Sequence, residues 1–316
     1  MNAITPTRRA NTLGVHSIDH FTLVVPDLEV ARTFYERFGL DVRDASGTLE
    51  LYTMGNPHRW ARILKGEGEK RLLYVSFGIF ADDEAAFKAH LDKQGVKYIA
   101  APAGADDQGI WFEGFDGLPI NVRVAEKCTP NEKSQFISES AGPGKTGAIP
   151  NSRAPRVYPR RLSHFAVFCT DVPAAIAFYE RTLGLRLSDK SEPVVAFLHG
   201  VHGSDHHLLA LLLSDHRGMH HNSWDMGSVQ DVGLGQAWMY RGGYKEGWGI
   251  GRHVLGANYF NYVRDPWGSY SEYSADIDFI PADCDWPSAN HPPEDSLYLW
   301  GPDLPEYFIQ NTEPKD

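Results

Sequence analysis

Fourteen histidines are spread over the 316 residues, but those with a carboxylate near a strand end gather in the second half. His164 opens an apolar run, HFAVF. Two pairs, His206-His207 and His220-His221, bracket LLALLLSDHRGM, whose length suits two adjacent strands and their connection. Glu272 follows the turn Asp265–Gly268, DPWG, in what reads as a closing strand. Two imidazoles and one carboxylate on neighbouring strands would fill one face of an octahedral Fe(II) and leave the other face open. If the pairs lie in strands, only one member of each faces that centre, because neighbours alternate sides.

The elements that must position these groups occur twice. Asp19-His20-Phe21 opens DHFTLVVPDLEVARTFYERFGLDVRD, and Ser163-His164-Phe165 opens SHFAVFCTDVPAAIAFYERTLGLRLSD. The offset is 144 from His20 to His164 and from Asp27 to Asp171, and 145 from Gly39 to Gly184. Each copy predicts a strand, an Asp N-cap whose carboxylate takes the first free amides, and an amphipathic helix ending near Gly. Each copy also closes with a strand, a turn and a strand: WFEGFDGLPINVRV in the first, NYFNYVRDPWGSYSEYSA in the second. Aligning Gly117 with Gly268 sets Asn121 opposite Glu272, and Tyr74 falls opposite His221. An amide and a phenol are poor ligands for Fe(II), so only the second copy carries a candidate centre. The expected division is residues 1–127, a Gly-, Pro- and Ser-rich linker 128–155, a second module 156–285 and a tail 286–316.

Bulk composition excludes several classes. A net charge of −11 argues against a general nucleic-acid or anionic-membrane binder. The longest apolar run, Leu208–Leu213, is far below the ~20 residues of a membrane span. MNAITPTRRANT lacks the apolar stretch of a signal peptide. Cys128, Cys169 and Cys284 are too few and too far apart for a disulfide framework or a zinc site, so a cytoplasmic location is expected.

Over residues 15–285 the chain resembles the type I extradiol dioxygenases of the vicinal oxygen chelate (glyoxalase/bleomycin resistance) superfamily. The resemblance is carried most strongly by GRHVLGANYFNYVRDPWGSYSEY, residues 251–273, and by the 14-residue step from His207 to His221. It implies an α+β fold of tandem βαβββ modules, two homologous domains with the metal site in the C-terminal one. It implies His164, His221 and Glu272 as ligands of Fe(2+), with Mn(2+) as a possible substitute. It further implies His207, His253 and Tyr262 as catalytic groups, a catecholic substrate with O2, meta ring cleavage in aromatic catabolism, and a homo-oligomer.

The chemistry of those residues agrees. A neutral imidazole at His207 can take and return a proton near pH 7. His253 and Tyr262 can donate hydrogen bonds to substrate oxygens. Tyr262 reaches the ligand side only with the right hairpin register: a four-residue turn from Asp265 would pair Glu272 with Asn261, a five-residue turn from Arg264 with Phe260. Trp224, Trp238, Trp248 and Trp267 are candidate walls for an aromatic ring. Arg241 and Lys245 are expected as solvated loop charges, and the tail from Asp283 as a cover for the cavity. Two other readings are a glyoxalase-like metal-dependent isomerase, which would draw ligands from both halves, and a metal-free small-molecule binder.

Overall fold

The computed structural model describes residues 5–138 and 140–315. The first copy runs β1 (Ser17–Val25), α1 (Leu28–Phe38), β2 (Asp41–Ala45), β3 (Thr48–Tyr52), β4 (Ala61–Lys65), β5 (Arg71–Ile79), α2 (Glu84–Gln94), β6 (Ile110–Glu113) and β7 (Pro119–Val124). The second runs β8 (Arg161–Cys169), α3 (Val172–Leu183), β9 (Arg186–Ser191), β10 (Val195–His199), β11 (Ser204–Asp205), β12 (Leu209–Leu213), β13 (Gly218–Asp225), α4 (Val229–Arg241), β14 (Gly247–His253), β15 (Tyr259–Arg264) and β16 (Tyr270–Ala275). Short strands β17 (Phe279–Ile280), β18 (Ala289–Asn290) and β19 (Tyr298–Trp300) complete the chain.

The helix boundaries follow from the expected caps. Asp27 accepts from the amides of Glu29 and Val30, and α1 ends at Gly39 with φ +109°. Asp171 accepts from Ala174, and α3 ends at Gly184 with φ +69°. These helices pack their apolar faces on two sheets of matching order. The first is β2-β3-β4-β1-β5-β7-β6; the second is β18-β9-β10-β12-β8-β13-β16-β15-β14-β19. Removing β18, β14 and β19 leaves the same order in both, as a duplicated fold requires.

Strand register aligns the two copies residue by residue. His20 pairs with Ser76, and Ser76 with Asn121. His164 pairs with Ser223, and Ser223 with Glu272. Tyr74 pairs with Thr22 as His221 pairs with Ala166. Asn121 therefore occupies the place of Glu272, and Tyr74 that of His221. One apolar core spans both halves, with the Phe21 and Phe165 rings 4.7 Å apart and Phe38 stacked on Tyr273 at 4.0 Å.

Two local expectations change. β12 and β13 are not adjacent, because β8 lies between them, parallel to β12 and antiparallel to β13. The segment between the His pairs is long enough to step over one strand, and β8 is the strand that carries His164. The hairpin of β15 and β16 takes neither expected register: its turn is Asp265–Ser269, and Glu272 pairs directly with Tyr262. Asp265 sets this turn by accepting from the amides of Trp267 and Ser269. Cross-strand partners share a face, so Tyr262 and Glu272 lie on the same side.

Candidate active site

Three strands converge on the site from one face of the second sheet. β8 supplies His164, β13 His221 and β16 Glu272, and one donor atom from each lies within 4.8 Å of the others. His164 Nε2 is 3.1 Å and His221 Nε2 3.7 Å from Glu272 Oε2. Cis ligands at about 2.1 Å from a first-row ion stand roughly 3 Å apart, so these separations suit one shared ion. His221 Nε2 and Glu272 Oε2 are buried and have no hydrogen-bond partner. Orphaned buried donors of this kind are costly unless something else satisfies them.

The first half shows the closed alternative. His20 Nε2 is 3.0 Å from the Tyr74 hydroxyl, and its Nδ1 is 2.7 Å from Asp19. Ser76 donates to Asn121 Oδ1 at 2.7 Å, and Asn121 Nδ2 donates to the Gln108 carbonyl. There each counterpart of a ligand atom already has a protein partner.

Electrostatics prepares the second-half cluster. Burial pushes the Glu272 carboxyl up, but His164, His253 and Ser223 together hold the group below its usual range. Burial, reinforced by neighbouring imidazoles, drives His221 and His207 well below 6.5, so both rings stay neutral. Neutral imidazole is the form that binds a metal or accepts a proton.

His207, His253 and Tyr262 line the same cavity, which has a volume of about 250 Å³. The His207 ring sits 4.1 Å from that of His164. His253 Nδ1 donates to the Leu297 carbonyl at 2.7 Å, so in the neutral ring Nε2 accepts from the Tyr262 hydroxyl, 3.0 Å away. Tyr262 is thus the donor of this pair, and His253 Nε2 donates only when the ring is protonated. Burial and the nearby Glu272 charge keep the phenol well above 10.

Of the four tryptophans only Trp248 lines the cavity. Trp224 is core and donates to Asn222, Trp238 lies under Arg37, and Trp267 packs on the core from the hairpin turn. Arg241 bonds Asn151 and Lys245 lies over Tyr240, away from the site. The tail does reach it: Leu297, Leu304, Phe308 and Ile309 form one wall.

Several site groups escape sequence reasoning. Asn258 donates to Glu272 Oε1 at 3.1 Å and to Ser274, orienting the carboxylate. It lies within the stretch 251–273, where its polar side chain between Gly256 and an aromatic run was the available signal. The Leu297 and Phe308 carbonyls, which receive His253 and His220, left no trace in side-chain types.

Comparison with known proteins identifies the family. The model of the Glyoxalase/Bleomycin resistance protein/Dioxygenase superfamily matches residues 17–122 and 161–273, and the chain belongs to that superfamily. It is 50% identical over 300 residues to "Metapyrocatechase 2" of Cupriavidus necator, covering 95% of this chain and 93% of that protein. Among solved structures, the Mn(II)-bound glyoxalase of Novosphingobium aromaticivorans superposes with a TM-score of 0.74 at 22% identity, over 96% of both chains. Homoprotocatechuate 2,3-dioxygenase of Arthrobacter globiformis gives 0.74 at 18% identity, over 98% of this chain and 95% of its own. Both structures share the fold.

Proposed function

We infer that the chain is a metal-dependent extradiol dioxygenase that opens a catechol ring beside its two hydroxyls and inserts both atoms of O2, yielding a muconic semialdehyde-type product. The single observation that carries the placement of its centre is the pair of orphaned ligand atoms, His221 Nε2 and Glu272 Oε2, beside His164, a cluster found in one half only among the described residues. His164, His221 and Glu272 would hold the metal. Two neutral nitrogens and one anionic oxygen favour Fe(II), with Mn(II) the alternative of similar coordination. A metal held by these residues would supply a binding point for the catechol hydroxyls and a path around the spin barrier between the ring and dioxygen.

The chain's own groups do the rest. His207 takes a catechol hydroxyl proton and later returns it during ring opening. Tyr262 turns its hydroxyl from His253 toward a substrate oxygen. Asn258 holds Glu272 in place. Trp248, Phe197 and Phe308 close apolar surface around the ring and exclude water. An isomerase of the glyoxalase kind would need ligands from the first half, where Tyr74 and Asn121 are engaged elsewhere.

The cavity also selects the substrate. No Asp, Glu, Lys or Arg is among its described lining residues. An apolar cavity of about 150 Å³ accepts benzene, so 250 Å³ takes a catechol with small apolar substituents. A carboxylate there would be buried without a Lys or Arg to pair with it. The test is turnover after anaerobic metal loading, over catechol, methyl- and chlorocatechols and carboxylated catechols. Cleavage of the uncharged set with iron bound at about one per chain is expected. Absence of metal-dependent cleavage throughout refutes the function, and a preference for the carboxylated set refutes the substrate class.

A further inference from the structure

A neutral imidazole carries one proton, so the partner of one ring nitrogen dictates the state of the other. Both His-His pairs meet this rule in the same way. His206 Nε2 lies 3.0 Å from Asp189 Oδ2. Asp189 also receives the Ala289 amide at 3.0 Å, His291 Nε2 at 2.8 Å and Trp286 Nε1 at 3.2 Å. A carboxylate ringed by donors accepts from every neighbour, so His206 Nε2 bears the proton and its Nδ1 a lone pair. That lone pair faces His207 Nδ1 at 3.1 Å. His207 Nδ1 must then donate, which leaves a lone pair on Nε2 of a ring that lines the cavity.

The second pair repeats the pattern with a different anchor. His220 Nε2 is 2.8 Å from the Phe308 carbonyl, which can only accept. His220 Nδ1 is therefore an acceptor, and it stands 2.6 Å from His221 Nδ1. The His221 proton sits on Nδ1, and Nε2 is left as the unpaired buried atom beside Glu272. His206 and His220 are themselves buried at 0% and 1% exposure, so no water competes for these bonds.

We propose that His206 and His220 are positioning residues, each fixing the tautomer of the histidine that follows it. His207 Nε2 is thereby presented as proton acceptor and His221 Nε2 as metal donor. The proposal rests on the roles given above to His207 and His221. The anchors differ as the tasks differ. Asp189, held below its usual range by the histidines and other donors around it, lends anionic support through His206 to a His207 that must become cationic in turnover. His221 must only donate a lone pair, and a neutral carbonyl suffices. Such partners typically contribute ten- to a hundredfold in activity or metal affinity.

Substitution by Phe keeps the ring and removes the acceptor, whereas Asn restores an acceptor oxygen. His206→Phe is expected to lower kcat ten- to a hundredfold, with KM for catechol and bound metal near wild type. His206→Asn should recover most of the loss. Added to His207→Phe, His206→Phe should cost nothing further, since its effect passes through His207. Wild-type kcat in His206→Phe, an equal loss in His206→Asn, or a full additional loss in the double variant overturns the first arm. Should His206→Phe fail to fold, His206→Asn must still turn over near the wild-type rate.

The second arm is read without turnover, by competition with a chelator. His220→Phe should hold Fe(II) ten- to a hundredfold more weakly than wild type, and His220→Asn close to wild type. Equal metal affinity in His220→Phe and wild type overturns it. A wild-type enzyme that binds iron but cleaves no catechol refutes the function instead, and the chelator measurement still decides the tautomer assignment.

Discussion

Phe308→Ala tests whether the tail truly completes the site. Phe308 is 4% exposed, its ring 4.8 Å from those of Tyr262, Tyr270 and His220 and 5.0 Å from Trp248. Phe308, Tyr262, Tyr270 and Trp248 belong to a small apolar cluster separate from the main core. Truncating a buried Phe to Ala costs about 3–5 kcal/mol where the surroundings cannot collapse. Unfolding a chain of 316 residues gains roughly 0.7 kcal/mol per kelvin in entropy, so Tm should fall by about 4–7 °C. The same change removes one aromatic wall from the cavity. An aromatic contact of about 0.5–1.5 kcal/mol converts to a KM for catechol raised about two- to tenfold. Scanning calorimetry of the iron-loaded protein and saturation kinetics at fixed oxygen give both numbers. An unchanged Tm together with an unchanged KM would mean that the tail does not pack on the site in solution.

Glu272→Gln removes the one anionic ligand and should abolish iron retention and turnover, whereas His20→Ala should leave iron content alone; metal analysis of the two variants decides between one site and a site shared by both halves. His207→Phe should keep its iron and bind catechols within several-fold of wild type, with turnover reduced about 10²–10⁴-fold, which anaerobic titration followed by oxygen pulses reads directly. Burial lowers His16, His199 and His202 from 6.5 to about 4 each. Between those values the unfolded chain binds protons that the fold refuses, so stability is full above about pH 6.5 and is lost as pH falls toward 4. A urea midpoint that does not fall from pH 7.5 to pH 5 would contradict this.

The sequence carried the architecture through repetition. The 144-residue offset, the two Asp caps and the two glycine exits reappear in the structure, because a cap is satisfied by backbone groups only a few residues away. Asn121 and Tyr74 were placed opposite Glu272 and His221 by alignment within the chain, and sheet register agrees. The β15–β16 turn was not legible to one residue. Asp265 accepts two amides of its own loop, and Ser269 joins the turn, a choice settled by Lys70 and the Met219 carbonyl bonding Ser269 from elsewhere in the fold. The place of β8 between β12 and β13 was equally hidden, since chain adjacency suggested pairing and only long-range packing contradicts it. Backbone carbonyls from the tail are the clearest loss, because a carbonyl is common to every residue and its use depends wholly on where the chain passes.

The closed cluster in the first half bears on how the two copies can change over evolutionary time. Placing a carboxylate at Asn121 alone would bury a charge where Ser76 and the Gln108 carbonyl now complete the amide's bonds. Placing an imidazole at Tyr74 alone would strip His20 of its phenol. Each single step toward a second centre lowers stability before any metal can repay it, and the steps help only together. The bonds among His20, Tyr74, Ser76 and Asn121 interlock, so the first copy is held as a scaffold that cannot become a second centre one residue at a time.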